Sequence, residues 1–141
     1  MEFGELLKHF LIDLQSLFRV QVTRPGMTLP QILLLSSIPD EGADMTTLAR
    51  KLGVDNSTMT RLIGGLERRG WARRTKSEED RRVSRVMLTE RGEQLQTSID
   101  RRIEVFGQGL LRSVPLENRE EVREILLSLH WLLSKKNLER Y

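Results

Sequence analysis

The stretch from Met45 to Thr89 changes its hydrophobic period once, at Gly70, and that change limits what the chain can fold into. Before Gly70 the apolar residues recur at helical spacing. Leu48, Ala49 and Leu52 share one face of a first helix. Gly53 suits the left-handed backbone that ends a helix. Val54 is expected as a buried plug in the turn. Asp55 is expected to cap a second helix by accepting from a free backbone N–H. Met59, Leu62, Ile63 and Leu66 then face inward, and the small Ala49 lets the two helices cross closely. This is the pattern of a helix-turn-helix.

The outer face of the second helix carries Asn56, Ser57, Thr60 and Arg61, with Thr58 in the same first turns. Short hydrogen-bonding side chains and one fork-shaped donor are the types with which a helix in a major groove reads base edges and phosphates. The plainer reading is a capped surface helix whose polar face is only solvated. Gly64-Gly65 lies in the middle of this helix, where each Gly costs about 1 kcal/mol against Ala. The pair implies close packing or local flexibility, and the sequence leaves both open.

After Gly70, Trp71–Lys76 and Val83–Leu88 alternate as short strands do, around the polar loop Ser77–Arg82. Two strands and a loop after a helix-turn-helix make a winged helix. Arg73, Arg74, Lys76, Arg81, Arg82 and Arg85 cluster in this hairpin. From Arg61 to Arg91 there are ten Lys/Arg against five Asp/Glu, about +5, whereas the whole chain carries +3 and the remainder about −2. Positive charge is therefore concentrated where contact with a phosphate backbone would need it.

In combination these motifs resemble the MarR family of winged-helix transcriptional regulators. The matching residues are Thr28-Leu29-Pro30-Gln31, Leu48-Ala49, Leu52-Gly53-Val54, Ser57 to Ile63, Leu66 to Trp71, Glu79 to Arg82, and Leu88 to Gly92. They cover about Thr28 to Leu95, and the flanking helices match only in kind. The resemblance implies that Asp80 braces the wing while Arg81 or Arg82 reaches DNA. It also implies interlocked terminal helices in a homodimer, and a pocket for a phenolic or other apolar small-molecule effector.

The rest of the chain reads as helices. Leu6, Leu7, Phe10, Leu11, Leu14, Leu17 and Phe18 stripe a helix over 2–22, and Pro25-Gly26 breaks the chain after it. Thr28 and Gln31 form a capping box for a central buried helix. Ala43-Asp44 is a short strand able to join the wing sheet. Thr89 caps a long helix to about Ser113, which Gly107 and Gly109 are expected to bend or weaken. Pro115 interrupts before a last helix from about Leu116 to Asn137, striped by Val122, Ile125, Leu126, Leu129, Leu132 and Leu133. Such stripes need cover, from each other in a monomeric bundle or from a second copy.

There is no cysteine, which excludes disulfides and thiolate metal sites. His9 and His130 are the only histidines and sit near apolar helical positions, so neither a metal site nor a catalytic set is expected. No apolar run approaches a membrane span and no signal peptide is evident, so the expected location is cytoplasmic. The expected fold class is mainly α with a small β-hairpin wing (α+β). It is a winged helix-turn-helix over 28–95, between dimerisation helices at 1–27 and 96–141. The expected function is not enzymatic and needs no cofactor. It is a homodimeric regulator, a repressor that binds double-stranded DNA at a palindromic operator and is released by an effector. The alternatives are a winged helix used for protein–protein contact and an architectural DNA binder that needs no effector.

Overall fold

Local caps set where the helices begin. In the computed structural model, which describes residues 1–140, α1 (Phe3–Gln21) leads to a break around Pro25-Gly26. Thr28 Oγ1 then accepts from the Gln31 N–H at 3.3 Å, and Gln31 Oε1 accepts from the Thr28 N–H at 2.9 Å. The reciprocal pair opens α2 (Leu29–Ser37), with Pro30 in its first turn where no N–H is needed. Ile32, Leu34, Leu35 and the following Ile38 are essentially inaccessible.

β1 (Ala43–Asp44) runs straight into α3 (Met45–Leu52), which ends at Gly53 with φ 69°. Asp55 then caps α4 (Asn56–Arg68). Leu48 and Ala49 of α3 pack with Met59, Ile63 and Leu66 of α4, all buried, as their spacing predicts. Val54 is half-buried and is not the plug the sequence suggested, because Leu48, Ala49 and Met59 already fill the helix crossing. Burying each of the larger side chains, Leu48, Met59, Ile63 and Leu66, contributes about 1.5–3 kcal/mol to the helix crossing.

β2 (Ala72–Lys76) and β3 (Ser84–Leu88) form the expected hairpin, with Ala72 opposite Leu88 and Lys76 opposite Ser84. β1 pairs with β3 through Ala43↔Val86, giving a three-stranded antiparallel sheet in the order β1-β3-β2. Ala72, Val86 and Leu88 turn into the core while their neighbours stay out, which is strand periodicity at work.

Thr89 links the sheet to α5 (Glu90–Arg112). Its hydroxyl accepts from the Gly92 N–H at 3.0 Å and donates to the Gly70 carbonyl at 2.6 Å. Gln96 Nε2 donates to the Leu35 and Ile38 carbonyls at 2.8 Å, satisfying the end of α2. α5 stays helical through Gly107 and Gly109. After Pro115 a short 3-10 turn (Leu116–Asn118) opens α6 (Arg119–Glu139). Arg119 closes that corner through the Val114 and Arg112 carbonyls, at 2.9 and 3.2 Å.

The chain divides into two compact units, Met1–Ile103 and Glu104–Tyr141, and the division falls inside α5. Neither α1 nor α6 has a buried residue. Phe10 of α1 is 53% exposed and Leu132 of α6 is 59% exposed. No helix among the described residues is long and apolar enough to cross a membrane.

Candidate nucleic-acid interface

The first turns of α4 are held by their own side chains. Asp55 Oδ1 accepts from the Thr58 N–H at 2.7 Å and from the Ser57 hydroxyl at 2.9 Å. The Thr58 backbone N–H, and then the side chains of Thr58 and Ser57, hold the Asp55 carboxyl below its ordinary value of 3.8. The Thr60 hydroxyl donates to the Asn56 carbonyl at 2.9 Å, and Arg61 NH2 reaches Thr58 Oγ1 at 3.4 Å. Asn56, Ser57, Thr60 and Arg61 are exposed, while Thr58 is half-buried. The same face continues past the half-buried Gly64 to the exposed Arg68, one and two turns beyond Arg61. Arg68 was missed in the sequence, although its helical offset from Ser57 and Arg61 marks it.

The two helix glycines differ. A Cβ on Gly65 would meet Gln31 Nε2 at 3.0 Å, whereas one on Gly64 would meet only Arg68 NH1 at 3.5 Å. Gly65 is therefore a packing glycine under α2, and Gly64 leaves the outer face of the helix low.

In the wing, Asp80 binds Arg82 at three points. Its Oδ1 accepts from the Arg82 backbone N–H at 3.0 Å and from Nε at 3.1 Å, and its Oδ2 accepts from NH2 at 3.2 Å. The Arg82 side chain and then its backbone N–H hold the Asp80 carboxyl below 3.8. The arginine still projects, with its side chain 90% exposed. The Val83 N–H donates to the Asp80 carbonyl and the Ser77 N–H to the Val83 carbonyl, each at 2.9 Å, so the loop is closed by its own backbone. Arg81 is exposed beside this brace, and Arg73 and Lys76 are exposed on β2.

Besides Arg82, Arg74 and Arg85 of the expected set have partners inside the fold. Arg74 is paired with Glu67 of α4 at 2.9 Å. Arg85 donates to the Glu41 carbonyl at 2.8 Å and to the Gly42 carbonyl at 3.1 Å, and lies 3.5 Å from Asp44. Arg69, also in the basic segment, donates to the Gly26 carbonyl at 3.1 Å and lies 4.5 Å over the Trp71 ring. Arg74 and Arg69 stay exposed although partnered, while Arg85 is half-buried.

An exposed polar helix face, a basic hairpin braced at its tip and the helix-turn-helix between them fill residues 28–88. A MarR family model matches residues 27–84. Over that segment the chain is similar to the MarR family. It is 33% identical over 72 residues to the HTH-type transcriptional regulator SarZ of Staphylococcus epidermidis, covering 50% of this chain and 49% of that one. The chain thus spans about half the length of the curated relatives it matches. The crystal structure of MarR superimposes with a TM-score of 0.82 at 24% identity, covering 99% of this chain and 95% of that one. Streptococcus pneumoniae FabT in complex with DNA superimposes with a TM-score of 0.75 at 20% identity, covering 94% and 95%. The two structural matches reach α1, α5 and α6, which lie outside the MarR family segment.

Proposed function

We propose that this chain is a MarR-type, sequence-specific DNA-binding transcriptional regulator, a repressor acting as a homodimer on a palindromic operator. The observation that carries the reading is the pairing, within one unit, of the exposed face of α4 with the basic hairpin beside it. Asn56, Ser57, Thr60 and Arg61 enter a major groove, with Thr58 supporting Arg61. Arg73, Lys76, Arg81 and Arg82 flank it along the backbone and minor groove. Arg74 and Arg85 hold the wing in place instead of contacting DNA. FabT, which shares the fold, was crystallised with DNA, and this supports the same use of the shared elements.

The homodimer rests on apolar side chains that α1 and α6 each leave in solvent, among them Leu6, Phe10, Leu126 and Trp131. A two-fold protein presents two copies of α4 to half-sites about one DNA turn apart. Release by a phenolic or other apolar small molecule rests on the family likeness alone. It is tested by titrating such ligands against the preformed complex, and indifference to all of them favours the architectural reading.

The deciding experiment is duplex-DNA binding by the purified chain over a series of salt concentrations. The logarithm of the association constant should fall linearly with the logarithm of salt, by about 0.9 per phosphate contacted. Absence of salt-dependent binding would leave the protein–protein module as the better reading. Deleting 122–141 should cause aggregation and loss of specific binding. A well-behaved, DNA-competent monomer after that deletion removes the dimer.

A further inference from the structure

We propose that Ser57 and Thr60 read DNA as hydrogen-bond acceptors only, so that each selects an amino-bearing base, adenine or cytosine, on the strand it faces. This rests on the DNA-binding reading above and adds the chemistry of its specificity.

A hydroxyl has one hydrogen to give and two lone pairs to offer. The Ser57 hydrogen points to Asp55 Oδ1 at 2.9 Å. Hydrogen bonds from Thr58 and Ser57 keep that carboxyl ionised at neutral pH, and an ionised carboxylate has no hydrogen to return. The Thr60 hydrogen points to the Asn56 carbonyl at 2.9 Å, another group that only accepts. Both side chains are exposed and stand on the face that includes Arg61. What Ser57 and Thr60 offer a groove is therefore lone pairs, beside Arg61, which only donates, and Asn56, which can do both.

In the major groove adenine N6 and cytosine N4 donate, whereas guanine O6 and N7 and thymine O4 accept. Arg61 matches guanine. Ser57 and Thr60 match adenine or cytosine and repel the keto bases. They also match phosphate oxygens poorly, since those only accept. Ser57 is the stricter of the two. Turning its hydrogen towards a keto oxygen would break a charge-assisted bond, which is about twice as strong as a neutral one. Thr60 would give up a bond to a carbonyl that the helix already supplies with a backbone N–H.

The test uses the full chain and starts with binding to pooled random-sequence duplex, followed by selection of the tightest binders. The selection is repeated with Ser57→Ala and with Thr60→Val, which keeps the side-chain shape and removes the hydroxyl. The position whose preference relaxes in each variant identifies the base that hydroxyl faces. The wild-type protein should prefer adenine or cytosine there. Replacing that adenine by purine, or that cytosine by 2-pyrimidinone, removes the amino group and should weaken wild-type binding roughly fivefold. The matching variant should show no further loss. Guanine or thymine at those positions overturns the inference. So does failure of any position to relax, or a wild-type affinity that ignores loss of the amino group. Absence of salt-dependent binding to the pooled DNA overturns the DNA-binding reading itself and this inference with it.

Discussion

Arg74 of β2 and Glu67 in the last turn of α4 form an ion pair 2.9 Å long, so the wing is fastened to the end of the helix it flanks. The two side chains are 38% and 29% exposed, which leaves solvent to screen part of the attraction. A pair exposed to this degree adds at most about 1 kcal/mol to stability.

Glu67→Gln should accordingly destabilise the fold by no more than about 1 kcal/mol, read from the denaturant midpoint. Arg74→Ala should leave the salt dependence of DNA binding almost unchanged. Arg73→Ala or Lys76→Ala should reduce it by about one unit per half-site. Equal reductions from all three would place Arg74 on the DNA.

The adjacent glycines of α4 should respond with different sizes. Gly64→Ala meets only the tip of Arg68 and should stabilise by about 0.5–1 kcal/mol through helix propensity. Gly65→Ala presses on Gln31 Nε2 at 3.0 Å, and Gln31 is already held in the capping box of α2. The propensity gain there should be largely cancelled. Thermal unfolding of the two variants side by side measures the contrast, and equal stabilisation would show that Gln31 moves freely.

Gly92 sits where α5 starts against the hairpin, and a Cβ there would overlap the Trp71 carbonyl oxygen. Backbone cannot swing aside as a side chain can. Gly92→Ala should therefore destabilise by about 1–3 kcal/mol. Thr89→Val, which loses both the donation to Gly70 and the cap on Gly92, should cost about 1–2 kcal/mol. Chemical denaturation of both variants checks the order, and a neutral Gly92→Ala would refute the close approach.

Asp80 gives a prediction whose sign separates two roles. A carboxylate that only adds negative charge should, on Asp80→Ala, let DNA bind more tightly at low salt. One that braces Arg82 should, on the same change, weaken specific binding, and weakening is the expected result. The pH behaviour follows from the lowered carboxyl. A depressed folded value means that the bond is fully present above 3.8 and is lost as pH falls through a value below that. Amide and guanidinium NMR signals of Arg82 should stay constant from neutral pH down to about 4, then shift. A change nearer neutral pH would contradict the three-point bond.

The helix starts at Thr28, Asp55 and Thr89, the left-handed stop at Gly53 and the switch from helix to hairpin at Gly70 were all legible in the sequence. Each is decided by residues within a few positions of one another, where propensity and local hydrogen bonds dominate. The polar outer face of α4 was legible for the same reason, although Arg68 at its far end was overlooked. Val54 was misjudged because its burial depends on how much room the crossing helices leave, which no local pattern states.

Which cations find partners within the fold was decided only by the tertiary structure. Arg85 is taken by carbonyls at Glu41 and Gly42, and Arg69 by the carbonyl of Gly26, pairs separated by 43 or 44 positions. Those partners meet only because β1 pairs with β3 and α4 packs beside α2. Gly64 and Gly65 are alike in sequence, and they were separated only when α2 placed Gln31 over one of them. The sequence by itself determined the elements, their caps and the basic segment, because these depend on near neighbours. The long-range packing decided which members of that segment find partners within the fold.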